Sequence, residues 1–545
     1  FTRQEIANEL AKSGVVLILA ILAAVTLNGL FQKEIIWLSA NSEEKSVMAQ
    51  FKGKECAQEE QTMHREACRA ASLSNKVREC ESSAWMSGPA AHGMEEPCFV
   101  APHPDVLNAL TAKFNEVKER VGEELPILRN LLRIVEPRRP GLNDGLIHAP
   151  GVPPAINTNG TSSHPVTTCP PLRAKLTGPI NVAVILIDFS DKQFSSDQTA
   201  AHFNSLWFGS GVNSVNDFYT EVSNKVVSIS GEVVGPYRMP HTLKYYANSY
   251  YGLGSSTPNA RLMATDAANL AKSHIDFSKY DNDKDGTVET LVIIHAGQGA
   301  ERSASVDDIW SHKWVLSTAV QDEGVTLYPY LTVPGDCKLG VCAHELGHLA
   351  FSWPDLYDTD YSSAGIGNWC LMAAGSYNGN ESNPSPPSAW CKYNQGWVTA
   401  STYGKGTHNI SLSDVKMGHS IMKLTETGAP STEYWLLENR HKVGRDADLP
   451  GDGLLIWHID DALSSNQNES VHYKVALVQA DGRKDLERNE DRGDNGDQYP
   501  GVARNRTLDS TSNPSSKAYS RSATSTFSIT DISDPAARMT FKLTV

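Results

Sequence analysis

The apolar residues are spaced differently in different parts of the chain, and each spacing predicts a different kind of element. Residues 14–31 form one uncharged apolar run, which as a helix would measure about 27 Å, close to the thickness of a bilayer core. Short β-branched runs at 181–188 and 290–295 alternate with helical stretches and predict the buried strands of an α/β domain. Beyond residue 405, short and closely spaced runs such as 453–459 predict a β-rich, sandwich-like module.

These patterns divide the chain into five predicted segments. They are a signal anchor or transmembrane helix (1–40), a Cys-containing segment (41–100), a helical region and linker (101–175), the α/β domain (176–404) and the β-rich C-terminal part (405–545).

The N-terminal apolar run favours an uncleaved membrane anchor over a cleaved signal peptide, because no small-residue cleavage site follows it. The membrane is therefore a predicted partner, through this helix. A leading Phe1 with Glu5 ahead of the apolar run is also typical of a mature type IV pilin, which would make the chain a filament-forming or oligomeric protein. The polar residues 7–13 interrupt the pilin pattern and favour the anchor.

Composition and charge limit the classes of function. The chain is 40% hydrophobic and 20% charged, as is usual for a folded protein, and its formal charge is −15. No Lys/Arg-rich run offsets that charge, so nucleic acid is excluded as a predicted partner. Nine cysteines suit an oxidising compartment, which predicts an extracellular or cell-surface location.

The motif that carries chemistry is His344-Glu345-Leu-Gly-His348. Two histidines four residues apart on a helix lie on one face, so that both imidazoles can bind one Zn²⁺ ion. Glu345 follows the first histidine, where its carboxylate can take a proton from a zinc-activated water. A chance match on an amphipathic helix is the alternative to this interpretation.

A catalytic zinc ion needs a third protein ligand. The nearby acidic candidates are Asp355, Asp358 and Asp360, and a ligand shortly after the helix is typical of metzincins. Met372 lies in a segment that is similar to the Met-turn of that clan, although in isolation it would be a core residue.

Several ordered motifs resemble the immune inhibitor A family of secreted zinc metallopeptidases. Those around the helix are HELGH (344–348), PDLYDTD (354–360), GNWCLMAAGSYNG (367–379) and SAWCKYNQGWV (388–398). Others lie at 184–191, 215–223, 281–301, 309–314, 433–460, 480–486 and 492–501, so the likeness covers about 175–545. It implies a metzincin-like zinc endopeptidase with protein or peptide substrates, made as a zymogen whose N-terminal segment is inhibitory, with residues 101–175 as its pro-segment-like region.

Carried over from the family, His344, His348 and Asp355 are the zinc ligands, Glu345 is the general base and Met372 is the Met-turn. One departure leaves the third ligand open: Phe351 stands where the family usually has a turn-forming glycine, and the run to Asp355 is one residue longer. Asp358 and Glu381 are therefore alternative ligands. Tyr377 is a candidate donor to the oxyanion, with a role in the cleft wall as the alternative.

A second cation site is predicted in the α/β domain. Oxygen-bearing residues alternate around a glycine turn, as Ca²⁺ requires, although the loop is not a complete EF-hand; they are Asp281, Asp283, Asp285, Thr287 and Glu289. The acidic run 485–497 predicts a solvated charged loop rather than a further site. Cys337 and Cys342 predict a local disulfide, and Cys169 is predicted to be a disulfide partner rather than a thiolate that blocks the zinc.

The sequence thus predicts an extracellular zinc endopeptidase that uses Glu345 as its base. The alternative is a catalytically silent surface or filament-forming protein that displays a peptidase fold. Intact His344, Glu345 and His348 favour the enzyme.

Overall fold

The computed structural model describes residues 98–106, residue 108, and residues 175–545 apart from 255, 359–362, 464–465, 467–470 and 522–524. The predicted N-terminal helix, nearly all of the predicted Cys-containing segment with Cys56, Cys68 and Cys80, and nearly all of the region 101–175 lie outside the described residues. Within the described part, no helix is both long and apolar enough to cross a membrane. All described residues belong to one compact unit, Glu96–Gly122 with Leu132–Val545.

A mixed sheet of seven strands forms the first half of this unit. Its strands are β1 (Cys98–Phe99), β2 (Gly178–Asp188), β3 (Val227–Arg238), β4 (Thr287–Val288), β5 (Leu291–His295), β6 (His312–Asp322) and β7 (Val325–Pro334). The order is β1-β6-β7-β5-β2-β3, and β4 also pairs with β7. Strands β3, β2, β5 and β7 run parallel, whereas β6 runs antiparallel to both of its neighbours, β7 and β1. The predicted α/β architecture is confirmed.

Eight α-helices connect and cover the sheets in the described residues. They are α1 (Ala200–Phe208), α2 (Val215–Val222), α3 (Leu243–Ala247), α4 (Ala260–Ala271), α5 (Ala300–Ser303), α6 (Leu339–Phe351), α7 (Ala389–Gln395) and α8 (Val415–Gly418). Short 3-10 helices lie at Phe277–Tyr280, Gly367–Trp369, Ala374–Glu381 and Gly444–Asp446.

The second half is built of two further sheets. The strands are β8 (Thr399–Ser401), β9 (Thr407–Ser413), β10 (Ser420–Leu424), β11 (Glu433–Arg440), β12 (Gly453–Asp460), β13 (Val475–Leu477), β14 (Ser528–Thr530) and β15 (Arg538–Thr544). Strands β13-β12-β11-β10-β8 form one sheet, and β14-β15-β9 form the other. Leu437 and Ile456 of the larger sheet pack with Phe541 of the smaller one in an apolar core between them.

The larger of these sheets also contributes to the core of the α/β half. Leu436 and Trp457 alternate along β11 and β12 with the residues just named, and their side chains belong to the main core. Buried ion pairs add to this junction: Lys392 of α7 binds Glu438 of β11 at 2.6 Å, and Arg440 binds Asp446. The two halves therefore share one continuous interior.

Helix α6 lies at the centre of the α/β half. It follows β7 after four residues, packs against β7 and α2, and buries all thirteen of its residues. A helix that is apolar on nearly every side is stable only in such an interior position. This placement makes α6 a rigid support for the polar side chains that it carries.

Candidate metal centre

The two histidines of α6 present their rings to one another. They lie one helical turn apart on the same face, and their Nε2 atoms are 3.0 Å apart. Both side chains are fully buried. The first half of the predicted ligand set is thus brought together.

Backbone carbonyl groups determine which nitrogen each ring offers. The Nδ1 atom of His344 lies 2.9 Å from the carbonyl oxygen of Leu371, and that of His348 lies 2.6 Å from the carbonyl oxygen of Trp353. Because a carbonyl only accepts, each Nδ1 carries the proton and donates it. In the neutral rings, the lone pairs of both Nε2 atoms are then free to bind a cation.

Asp355 reaches the same point after the chain turns out of the helix. Ser352 ends α6 in the left-handed conformation, with φ of 54°, so the turn falls one residue beyond Phe351 and absorbs the extra residue of this sequence. The Oδ1 atom of Asp355 lies 3.0 Å from the Nε2 atom of His344 and 3.0 Å from that of His348. Although burial opposes ionisation, the two histidines lower the pKa of Asp355 to about 2.

Three electron-rich atoms at equal separations fit a tetrahedral cation. Ligands bound at about 2.0–2.1 Å in tetrahedral geometry lie roughly 3.4 Å apart, close to the separations found here. Two imidazole nitrogens and one carboxylate oxygen are donors that suit zinc. His344, His348 and Asp355 are therefore the residues that could hold it, in a site shielded from solvent.

Glu345 lies beside this triangle with an unused carboxylate. Both of its oxygens are buried and make no hydrogen bond of normal geometry. Burial, with the charges of Asp355 and Glu301, raises the pKa of Glu345 well above its usual range, and the backbone amide of Val100 only partly offsets this. A buried carboxylate without partners is costly, which indicates a functional rather than a structural group.

Met372 lies against the helix between the two histidines. Its carbonyl oxygen accepts from the amide of Leu356, and its sulfur would be only 2.7 Å from a Cβ atom placed on Gly347. Gly347 therefore gives the Met372 segment room to approach α6. The same segment supplies the Leu371 carbonyl that binds His344.

The alternative third ligands lie elsewhere. Asp358 accepts hydrogen bonds from the amide and the hydroxyl of Ser363. Glu381 pairs with Arg302 and lies 3.9 Å from the ring of His103. Neither belongs to the cluster formed by the histidines, whereas Asp355 does.

An N-terminal stretch, residues 98–103, lies next to Glu345. Strand β1 pairs with β6, the amide of Val100 donates to Ser311, and the indole of Trp310 donates to the Val100 carbonyl at 2.7 Å. Tyr377, the candidate oxyanion donor, instead donates its hydroxyl proton to the carbonyl oxygen of Ala101. The stretch thus pairs with the edge of β6 and also accepts the hydrogen bond of the Tyr377 hydroxyl.

The predicted calcium residues also converge. Asp281, Asp283, Asp285 and Glu289 each place a carboxylate oxygen within 4.8 Å of the others. Backbone amides of the turn order the loop; that of Gly286 donates to Asp281 and that of Thr287 to Asp285. Sequence spacing was sufficient to group these residues.

Other supporting groups were not predicted as site residues. Tyr219 of α2 donates its buried hydroxyl proton to the carbonyl oxygen of Ala343, next to His344. The carbonyls that orient the histidines are backbone atoms, so residue type does not reveal them. The cysteines whose side chains are described, Cys337, Cys342, Cys370 and Cys391, are free thiols, and the sulfur atoms of Cys337 and Cys342 lie 3.3 Å apart.

Comparison with known proteins agrees with this geometry. Residues 180–406 match the family described as immune inhibitor A peptidase M6, catalytic domain. The chain is 28% identical over 267 residues to the pre-pro-metalloprotease PrtV of Vibrio cholerae, which covers 39% of this chain and 29% of that protein. It is 27% identical over 297 residues to immune inhibitor A of Bacillus thuringiensis subsp. alesti, covering 44% of this chain and 43% of that protein. The chain thus spans less than half the length of either relative, and its residues 180–406 are similar to the catalytic domain of the immune inhibitor A peptidase family.

Proposed function

We propose that this protein is a zinc-dependent endopeptidase in which His344, His348 and Asp355 hold the metal. The observation that carries the proposal is the buried triangle of acceptor atoms, 3.0 Å on each side, next to the unpaired carboxylate of Glu345. A silent fold would not need to keep an unpartnered carboxylate at this position, because burying it lowers stability.

The residues of the site have separate tasks. A bound zinc ion would lower the pKa of a water molecule and polarise the carbonyl group of a substrate. Glu345 accepts the proton of the attacking water and passes it to the leaving amine, and the raised pKa of its carboxyl suits a group that must also act as an acid. Tyr377 donates a hydrogen bond to a peptide carbonyl, as it does here to Ala101.

A Glu345→Gln variant tests this proposal. It keeps the size of the side chain and removes the proton acceptor, so we expect hydrolysis of casein to fall by about 10²–10⁴-fold while one zinc ion per chain is retained. Zinc content by elemental analysis and the peptidase rate are measured after removal of the N-terminal segment. Equal activity of wild type and variant, or an inert wild type that holds zinc, would contradict the enzyme.

We also propose that residues 98–103 keep the chain latent as a zymogen. They run antiparallel to β6, bury Val100, Ala101 and His103, and use the hydroxyl of Tyr377. An extended peptide bound along a sheet edge is held by main-chain hydrogen bonds, so a substrate and this stretch compete for the same groups.

A Val100→Glu variant tests latency. A charge at this fully buried position disfavours the docked state, so the uncut chain should gain activity at least about tenfold. Val106→Glu is the matched control, since Val106 is only partly buried, and it should stay latent. Similar activity of the two uncut variants would argue against latency by this stretch.

Calcium binding by Asp281, Asp283, Asp285, Thr287 and Glu289 is a further proposal, supported by their convergence around the Gly286 turn. An Asp285→Asn variant should lose one calcium ion per chain in equilibrium dialysis. Unchanged stoichiometry would count against the site.

We propose an extracellular location, which agrees with the pre-pro name of the Vibrio relative. Anchoring through residues 1–40 is tested by membrane fractionation with and without residues 1–38, and equal solubility of both chains would remove the anchor. An oxidising location would allow Cys337 and Cys342 to form a disulfide, which would lower the count of titratable thiols by two.

A further inference from the structure

A second group of carboxylates lies in residues 481–497, here called the acidic loop, which follows strand β13. Asp485, Asp491 and Asp494 each place one carboxylate oxygen within 4.8 Å of the others. The loop is not the solvated run that its composition predicts, because Asp485 is only 3% exposed and Asp491 and Asp494 are half-buried.

One oxygen in this group has no partner. The Oδ2 atom of Asp485 pairs with Arg483 at 3.0 Å, but its Oδ1 atom is buried without any hydrogen bond. Amides of the loop donate to the other two carboxylates of the group and not to this oxygen: Gly493 donates to Asp491 and Gly496 donates to Asp494. These three carboxylates repel one another, Glu490 adds a further like charge beside Asp485, and a bound cation would offset that repulsion.

The acidic loop holds the segment that leads to Met372. The amide of Ala364 donates to the carbonyl of Leu486, and the amide of Asn368 donates to the carbonyl of Arg492. The indole of Trp369 donates to the carboxylate of Asp497 at 2.8 Å. Leu371, two residues after Trp369, accepts a hydrogen bond from His344 through its carbonyl oxygen. A short stretch of chain therefore joins the acidic loop to the metal centre.

We propose that Asp485, Asp491 and Asp494 bind a calcium ion, and that this ion fixes the acidic loop against the Met372 segment. All the donors are oxygen atoms on an irregular loop, which suits the flexible coordination of Ca²⁺ better than the strict octahedron of Mg²⁺. Asp485 is covered yet close to the surface, so an ion can reach it without unfolding of the core. The site is separate from the predicted one at Asp281.

Terbium luminescence provides a direct test, since Tb³⁺ replaces Ca²⁺ and is excited by a nearby indole. The Trp369 ring touches the loop next to Gly493, so tryptophan-selective excitation should sensitise an ion bound there. Asp494→Asn should lose most of this emission and part of the calcium-dependent rise in Tm. Asp283→Asn, the matched variant in the other cluster, should keep the tryptophan-sensitised emission from the acidic loop. Full emission from Asp494→Asn would overturn the proposal.

Trypsin protection tests the wild-type loop without any change within it. Arg488 is exposed inside the acidic loop, so the bond after it should be cut at least about tenfold more slowly in millimolar calcium, the range of extracellular sites. The bond after Lys405, outside the loop, should be cut at the same rate with and without calcium. The chain carries Glu345→Gln to prevent self-cleavage. Equal cutting after Arg488 in calcium and in chelator would refute the site.

The effect on catalysis rests on the proposed function, whereas binding does not. In the processed enzyme, with zinc present throughout, added calcium should raise casein hydrolysis by the wild type and change that by Asp494→Asn much less. If the chain proves not to be a peptidase, the terbium and trypsin results still decide whether the loop holds calcium.

Discussion

Two backbone carbonyls determine the chemistry of the site histidines. Because Leu371 and Trp353 accept from Nδ1, both rings turn Nε2 toward Asp355. The spacing of His344, Glu345 and His348 predicted their common face, since it depends only on helix geometry. The carbonyl partners could not be predicted, because they come from loops whose path is fixed by tertiary packing.

Asp355 and Asp358 form a matched pair for testing the third ligand. Removing even an outer partner of a metal ligand costs up to about 100-fold in affinity, so Asp355→Asn should weaken zinc binding by more than that. Asp358→Asn should keep its zinc, since Asp358 binds Ser363 instead. Competition with a zinc chelator measures both affinities, and a larger loss from Asp358→Asn would reverse the assignment.

The sequence did not show at which residue helix α6 ends. The usual turn glycine is replaced by Phe351, and only the structure shows that Ser352 takes the left-handed position instead. Ser352 thereby brings Asp355, and not Asp358, to the histidines. The strands were easier to predict: β5, β11 and β12 fall on apolar runs, whereas β2 begins three residues before the predicted run 181–188 because Gly178 pairs with Val227.

Substitutions at Ser352 should separate helix termination from side-chain chemistry. Ser352→Gly relieves the cost of φ at 54°, so the free energy of unfolding should rise by about 0.5–1 kcal/mol. Ser352→Val should lower it, because a β-branched residue is strained there. Urea denaturation measures both changes, and stabilisation by valine would contradict the role given to this turn.

Two histidines outside the metal centre, His295 and His312, are also fully buried. Burial lowers the pKa of His295 to about 4, and burial likewise lowers that of His312 to about 3, against the carbonyl of Trp310. The unfolded chain takes up protons near pH 6.5, while the folded protein does not. Stability is therefore complete above about pH 6.5 and falls as the pH drops toward 4.

The expected loss from His295 alone is about 3 kcal/mol between pH 6.5 and 4. His295→Asn removes the titrating ring and should flatten the dependence of unfolding free energy on pH over that range. Urea denaturation at several pH values measures the slope. An unchanged slope in the variant would show that His295 does not contribute.

The hydrophobic core that the two halves share has a consequence for folding. The region that matches the family model ends at residue 406, but Leu436 and Trp457, far beyond it, belong to the same hydrophobic core as helix α6. A chain shortened to the matched region would leave Lys392 buried without its partner Glu438 and would expose apolar core residues to water. Residues beyond 406 therefore complete the hydrophobic core around helix α6, and a fragment that ends at 406 would lack that part of it.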